Sequence, residues 1–86
     1  MSILQVVNDL RVSLTAEQLR DAKEILGESL FGLFDKAIKS KSEADAAGRI
    51  KVFMDAAKED FVKMLRVRKI LNPEQREIIL RLMDGE

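Results

Sequence analysis

Glu17, Asp21, Glu24 and Glu28 recur at spacings of four, three and four residues, which on a helix sets four carboxylates on one face. Carboxylates on facing helices can hold metal ions, but the di-metal helical bundles pair them with Glu-x-x-His patterns. The chain has no histidine, so these residues read as a solvated helix face, with no metal site and no cofactor. A second charged stretch has the opposite sign. Lys63, Arg66, Arg68 and Lys69 are crowded into seven residues, where an anionic partner such as an acidic protein or DNA would settle. No aromatic residue is interleaved there to stack bases. Fifteen Lys+Arg against fifteen Asp+Glu also leave no net positive field to draw in nucleic acid. Nucleic acid is therefore the weaker partner reading, and another protein the stronger one.

Nucleophilic and acid–base chemistry fares no better. Ser13, Ser29, Ser40 and Ser42 have no imidazole to activate them, and there is no cysteine. Residues 43–54 faintly echo a calcium loop, with Asp45 and with Gly48 at the sixth place. The fifth and twelfth places are Ala47 and Met54, which supply no side-chain oxygen. Met54, Met64 and Met83 fall at helical spacing and read as core rather than as soft ligands. We expect a protein that is not an enzyme.

The elements that must position these residues are helical throughout. Apolar residues recur with a period near 3.6, and no segment alternates as a strand does. The first helix is expected over about Ser2 to Leu10, with Ile3, Val6, Val7 and Leu10 inward. The second is expected from Thr15 to about Lys39, on a stripe that includes Leu19, Leu26, Leu33, Phe34 and Ile38. The third runs from about Glu43 to Leu71, with Ile50, Phe53, Ala57, Phe61, Met64 and Leu65 inward. The fourth opens at Pro73 and carries Ile78, Ile79, Leu82 and Met83.

Three helix starts have a local mechanism. Thr15-Ala16-Glu17-Gln18 is a capping box, flanked by a staple of Leu14 on Leu19. Asn72-Pro73-Glu74-Gln75 repeats it, with Pro in the first helical position, where its missing donor costs nothing. Ser42 caps the third helix. Each cap contributes about 1 kcal/mol. Gly27 and Gly32, inside the second helix, mark either a close helix crossing or a bend.

The short turn at Ser40-Lys41-Ser42 makes the second and third helices antiparallel neighbours. Folding about residue 41 brings the acidic stripe beside Lys58, Lys63, Arg66, Arg68 and Lys69, and brings Lys36 and Lys39 near Glu43 and Asp45. The expected fold is one all-α domain, 1–86, built as a long antiparallel hairpin with short terminal helices. Two helices of ~25 residues, each roughly 38 Å long, make a thin layer. Phe31, Val52, Val62 and Val67 lie off the main stripes, so a second copy is expected to complete a four-helix homodimer. A compact monomer with its end helices folded over the hairpin is the competing arrangement. No apolar run approaches the ~18–20 residues of a membrane span.

The two caps, Leu14-Thr15-Ala16-Glu17-Gln18 and Leu71-Asn72-Pro73-Glu74-Gln75, resemble the twice-occurring LTxxQ motif of a bacterial helical family. That family includes the periplasmic Spy/CpxP chaperones and related heavy-metal resistance regulators. Ile70-Leu71-Asn72-Pro73-Glu74-Gln75 is the closer copy, with Asn72 standing where the motif has Thr. The resemblance spans about residues 14–83. It implies an all-helical, antiparallel, non-enzymatic dimer that holds unfolded proteins or senses envelope stress. Leu14, Thr15, Gln18, Leu71, Asn72 and Gln75 then take the motif positions that brace helix ends. The absence of histidine sets the chain apart from the metal-responsive branch.

The expected function is a non-catalytic protein-binding module, in the manner of a Spy/CpxP-like chaperone or stress regulator. The other reading is a cytoplasmic adaptor dimer for one folded partner, and a weaker one is a DNA-associated dimer using Lys63, Arg66, Arg68 and Lys69. The N-terminal residues lack the pattern of a signal peptide. As given, the chain is expected in the cytoplasm, or in the periplasm if an export signal has been removed.

Overall fold

The computed structural model describes residues 2–83, and they form six helices with no strand among them. They are α1 (Ile3–Ser13), α2 (Ala16–Leu26), α3 (Glu28–Ile38), α4 (Glu43–Ala57), α5 (Phe61–Ile70) and α6 (Pro73–Met83). The all-α class is as expected. The two uninterrupted long helices are not found, because each is broken near its middle.

The first break is at Gly27. Its φ of 85° lies where only glycine is at ease, and it ends one helix while starting the next. Its amide donates to the Lys23 carbonyl (2.9 Å), and its own carbonyl accepts from Phe31 (2.9 Å). Gly27 is thus the bend of the two alternatives. At Gly32 the helix continues and no neighbouring atom lies within 4 Å of where a Cβ would stand, so no close crossing occurs there. The second break, at 58–60, ends where the Asp60 carboxylate accepts from the Lys63 amide (3.1 Å) and caps α5. Phe61 and Leu65, expected inward, are exposed (71% and 41%), because the chain restarts its helical register at Asp60.

The pairing keeps a nested order despite the breaks. α3 packs along α4 and α2 along α5, while α1 lies across α4, α6 and α3. Phe34 of α3 meets Phe53 of α4 with ring centroids 5.3 Å apart. α1 runs three residues beyond Leu10, and its Val7 and Leu10 are completely buried at the centre of the core. Bent and covered in this way, the chain measures 28 × 24 × 21 Å, with a radius of gyration of 11.6 Å. A compact domain of this length is expected at roughly 12 Å. Residues from α1, α2, α3, α4 and α6 share one core cluster within the single chain. Among the described residues, no helix is long and apolar enough to cross a membrane.

The expected zipper of opposite charges is absent. Ion pairs among the described residues are local: Lys39–Asp35 (3.0 Å), Lys58–Asp55 (3.8 Å), Lys63–Asp60 (3.7 Å) and Arg81–Glu77 (3.7 Å). An exposed pair is worth only ~0–1 kcal/mol, and a partner three or four residues away is reached with the least ordering of long side chains. Glu43 is not held by Lys36 or Lys39 either. Its carboxylate accepts from the amides of Ile3 (2.7 Å) and Leu4 (3.0 Å), the open donors of the first turn of α1. Those two amides, Leu4 first, hold its pKa below the ordinary value of 4.5.

Candidate functional site

The two capping motifs lie 57 residues apart in sequence and meet in space. In each, the box closes as its sequence implies. The Thr15 hydroxyl accepts from the Gln18 amide (3.0 Å) and the Gln18 side chain accepts from Thr15 N–H (3.0 Å). Asn72 Oδ1 accepts from Gln75 N–H (2.8 Å) and Gln75 Oε1 from Asn72 N–H (3.0 Å). The two glutamine carboxamides then face each other. Gln18 Nε2 donates to Gln75 Oε1 (2.8 Å), and Gln75 Nε2 donates back to Gln18 Oε1 (3.0 Å). The remaining N–H of Gln18 goes to the Ile70 carbonyl (3.1 Å), and that of Gln75 to the Ser13 carbonyl (3.0 Å).

Every donor and acceptor of the amide pair is thereby used, which is what full burial of Gln75 demands. The clamp gathers the end of α1, the starts of α2 and α6, and the end of α5. Leu71 is buried beside it, and Leu14 packs half-buried against the core. All six motif residues therefore belong to one structural knot. None of them presents a reactive group.

The basic residues divide. Lys63 turns inward, where its Nζ reaches the last carbonyl of α2, Leu26 O (3.4 Å), and so fastens α5 to the end of α2. Arg66 and Lys69 are exposed, and with Val62 they share one face of α5 at helical spacing. Arg68 is exposed on the adjoining face with Phe61 and Leu65. No residue of α5 is fully buried, and Phe61, Val62 and Leu65 on it are three of the six large apolar residues exposed among the described residues.

Beneath α5 lies a cleft that the sequence did not reveal. It has a volume of about 280 Å³, and its floor is buried core: Leu10, Leu26, Phe34, Phe53 and Ala57. Its edge carries Phe61 and Leu65 of α5 and Leu80 of α6. Met54 and Met64 line it too, half-buried against the core. The sequence signal was present but ambiguous, since an apolar stripe that overfills a core looks the same as one that fills it. The four carboxylates of the acidic stripe converge on nothing: among the described residues, no three acidic side chains stand together as a metal would need.

Comparison of this chain with protein-family models, with curated proteins and with solved structures finds no match.

Proposed function

We propose that this chain is a non-catalytic helical module that holds another protein on the outer face of α5. The observation that carries the reading is that α5 buries none of its residues. It presents Phe61 and Val62 at 71% and 66% exposure, beside Arg66 and Lys69. Apolar surface rimmed by charge is the usual mark of an interaction site. The cations favour partners with acidic segments.

The paired LTxxQ-like motifs support a Spy/CpxP-like version, in which partly unfolded proteins are held reversibly. In that version the amide clamp fixes the angle between α2, α5 and α6, so that the α5 face is presented rigidly. A homodimer built on this face would compete with such a partner, and the cations on it lead us to assign it to another protein with acidic segments.

The test is suppression of aggregation of several unrelated unfolded proteins at near-equal molar ratio, comparing the wild type with Val62→Ser/Arg66→Ser/Lys69→Ser. Suppression that is lost in the variant supports the reading. Suppression that survives in the variant, or none by the wild type, overturns it.

A further inference from the structure

The cleft under α5 has a chemistry of its own, separate from the outer face. Its 280 Å³ is nearly twice the ~150 Å³ of an apolar cavity that stays dry and takes up benzene. Among its lining residues the only charged ones are Lys58, Arg68 and Arg76, with no carboxylate. In a chain with as many acids as bases, that is a one-sided choice. Arg76 is held at the junction of α5 and α6 by its Nε, which donates to the Arg68 carbonyl (2.9 Å). Neither Arg68 nor Arg76 is ion-paired to a carboxylate among the described residues.

The lining also restricts what can enter. Apart from the three cations, its one polar side chain is Gln18, whose amide is already fully used in the clamp. An extended peptide laid in the depth of the cleft would leave its N–H and C=O groups without partners. A helix satisfies its own backbone but is ~10–12 Å across, so it would rest on the mouth rather than reach Leu10 or Phe34. A hydrocarbon chain has no such groups to satisfy.

We propose that the cleft binds a long-chain carboxylate, a fatty-acid-like amphiphile. Its tail lies along Leu19, Met54, Met64 and Val67, the half-buried apolar side chains of the lining, and its head group meets Arg68, Arg76 and Lys58 at the edge. Phe61 and Leu65 border both the cleft and the outer face, but Val62, Arg66 and Lys69 line none of the cleft, so variants at those three positions separate the two sites.

The test titrates the purified chain with octanoate, decanoate and dodecanoate, each below its micelle concentration, and with dodecanol, by calorimetry. One saturable site per chain is expected, with affinity rising about four-fold per added methylene. Dodecanol should bind about ten-fold more weakly than dodecanoate. Arg68→Gln/Arg76→Gln should abolish that preference for the acid. Ala22→Leu, which fills the lining, should weaken every ligand more than ten-fold while circular dichroism stays helical. Val62→Ser should change nothing. Dodecanol binding as well as dodecanoate, uptake without saturation, or an acid preference that survives in the Arg68→Gln/Arg76→Gln variant would each overturn the proposal. So would an apolar peptide that displaces dodecanoate at equal concentration, which would make the cleft a polypeptide groove.

Discussion

Replacing Gln75 with leucine removes one half of the amide clamp while keeping a side chain of similar bulk. The wild-type Gln75 side chain accepts from Asn72 N–H and Gln18 Nε2, and donates to the Ser13 carbonyl and Gln18 Oε1. In Gln75→Leu four polar groups lose a partner at once. An unsatisfied buried group costs ~1–3 kcal/mol. Asn72 and Ser13 are exposed residues whose groups can turn to water, whereas the Gln18 amide remains half-buried against a leucine. Gln18 Oε1 keeps Thr15 N–H, so counting the orphaned Gln18 Nε2 hydrogen in full and the others as small gives about 2 kcal/mol. For a domain of this size each kcal/mol lowers Tm by ~4–8 °C, so thermal unfolding followed by far-UV circular dichroism should shift down by roughly 8–16 °C. Gln18→Leu should behave similarly. The double variant removes both partners, so it should lose less than the sum of the singles, with a coupling of about 1–2 kcal/mol. A Gln75→Leu melt within a few degrees of wild type, or strictly additive singles, would refute the clamp as a stabilising unit.

The two mid-chain glycines should respond in opposite directions to alanine. Gly27→Ala forces a Cβ onto a backbone at φ 85° and should cost about 1–2 kcal/mol in urea unfolding, although no atom crowds the position. Gly32→Ala lies in regular helix with open space around it and should stabilise by about 0.5–1 kcal/mol. Thr15→Ala and Asp60→Ala each remove a helix cap, and each should cost about 1 kcal/mol in the same assay. Glu43 has a folded pKa below 4.5, so its contribution is complete above that value and is lost as pH falls through the folded pKa. Wild type should therefore melt above Glu43→Gln at neutral pH, and the gap should close in acid. A gap that stays constant with pH would contradict the α1 capping role.

What the sequence made legible was local. Thr15 with Gln18, Asn72 with Gln75, and Ser42 each announce a helix start through groups at most three residues apart, and all three caps form with the partners expected. The break at Gly27 was half-legible, because a glycine inside a periodic stripe fits a bend and a crossing equally well. The break at 58–60 was concealed. Ala57, Phe61, Met64 and Leu65 continue the helical spacing across it, and its single sign is Asp60 standing where a cap would. Once that break resets the register, Phe61 and Leu65 leave the core and the cleft opens behind them. The meeting of the two glutamines depends on how three helix ends pack across 57 residues, which no local pattern encodes. The duplication of the motif was its one trace. Charge patterning misled for a physical reason: exposed pairs between helices are worth too little to choose among partners, so Lys39, Lys58 and Lys63 pair with carboxylates three or four residues away.

The central claim is that α5 is the partner-binding face, and exposed apolar residues elsewhere supply an internal control. Val12 and Val52 are 79% and 54% exposed, on α1 and α4, against 66% for Val62 on α5. Methyl and amide resonances recorded during titration with a chemically unfolded, aggregation-prone protein therefore test it most directly. Shifts or broadening confined to Phe61, Val62, Leu65, Arg66 and Lys69, with Val12 and Val52 unmoved, are the predicted result. Equal perturbation of Val12, Val52 and Val62, or none at α5, would contradict it.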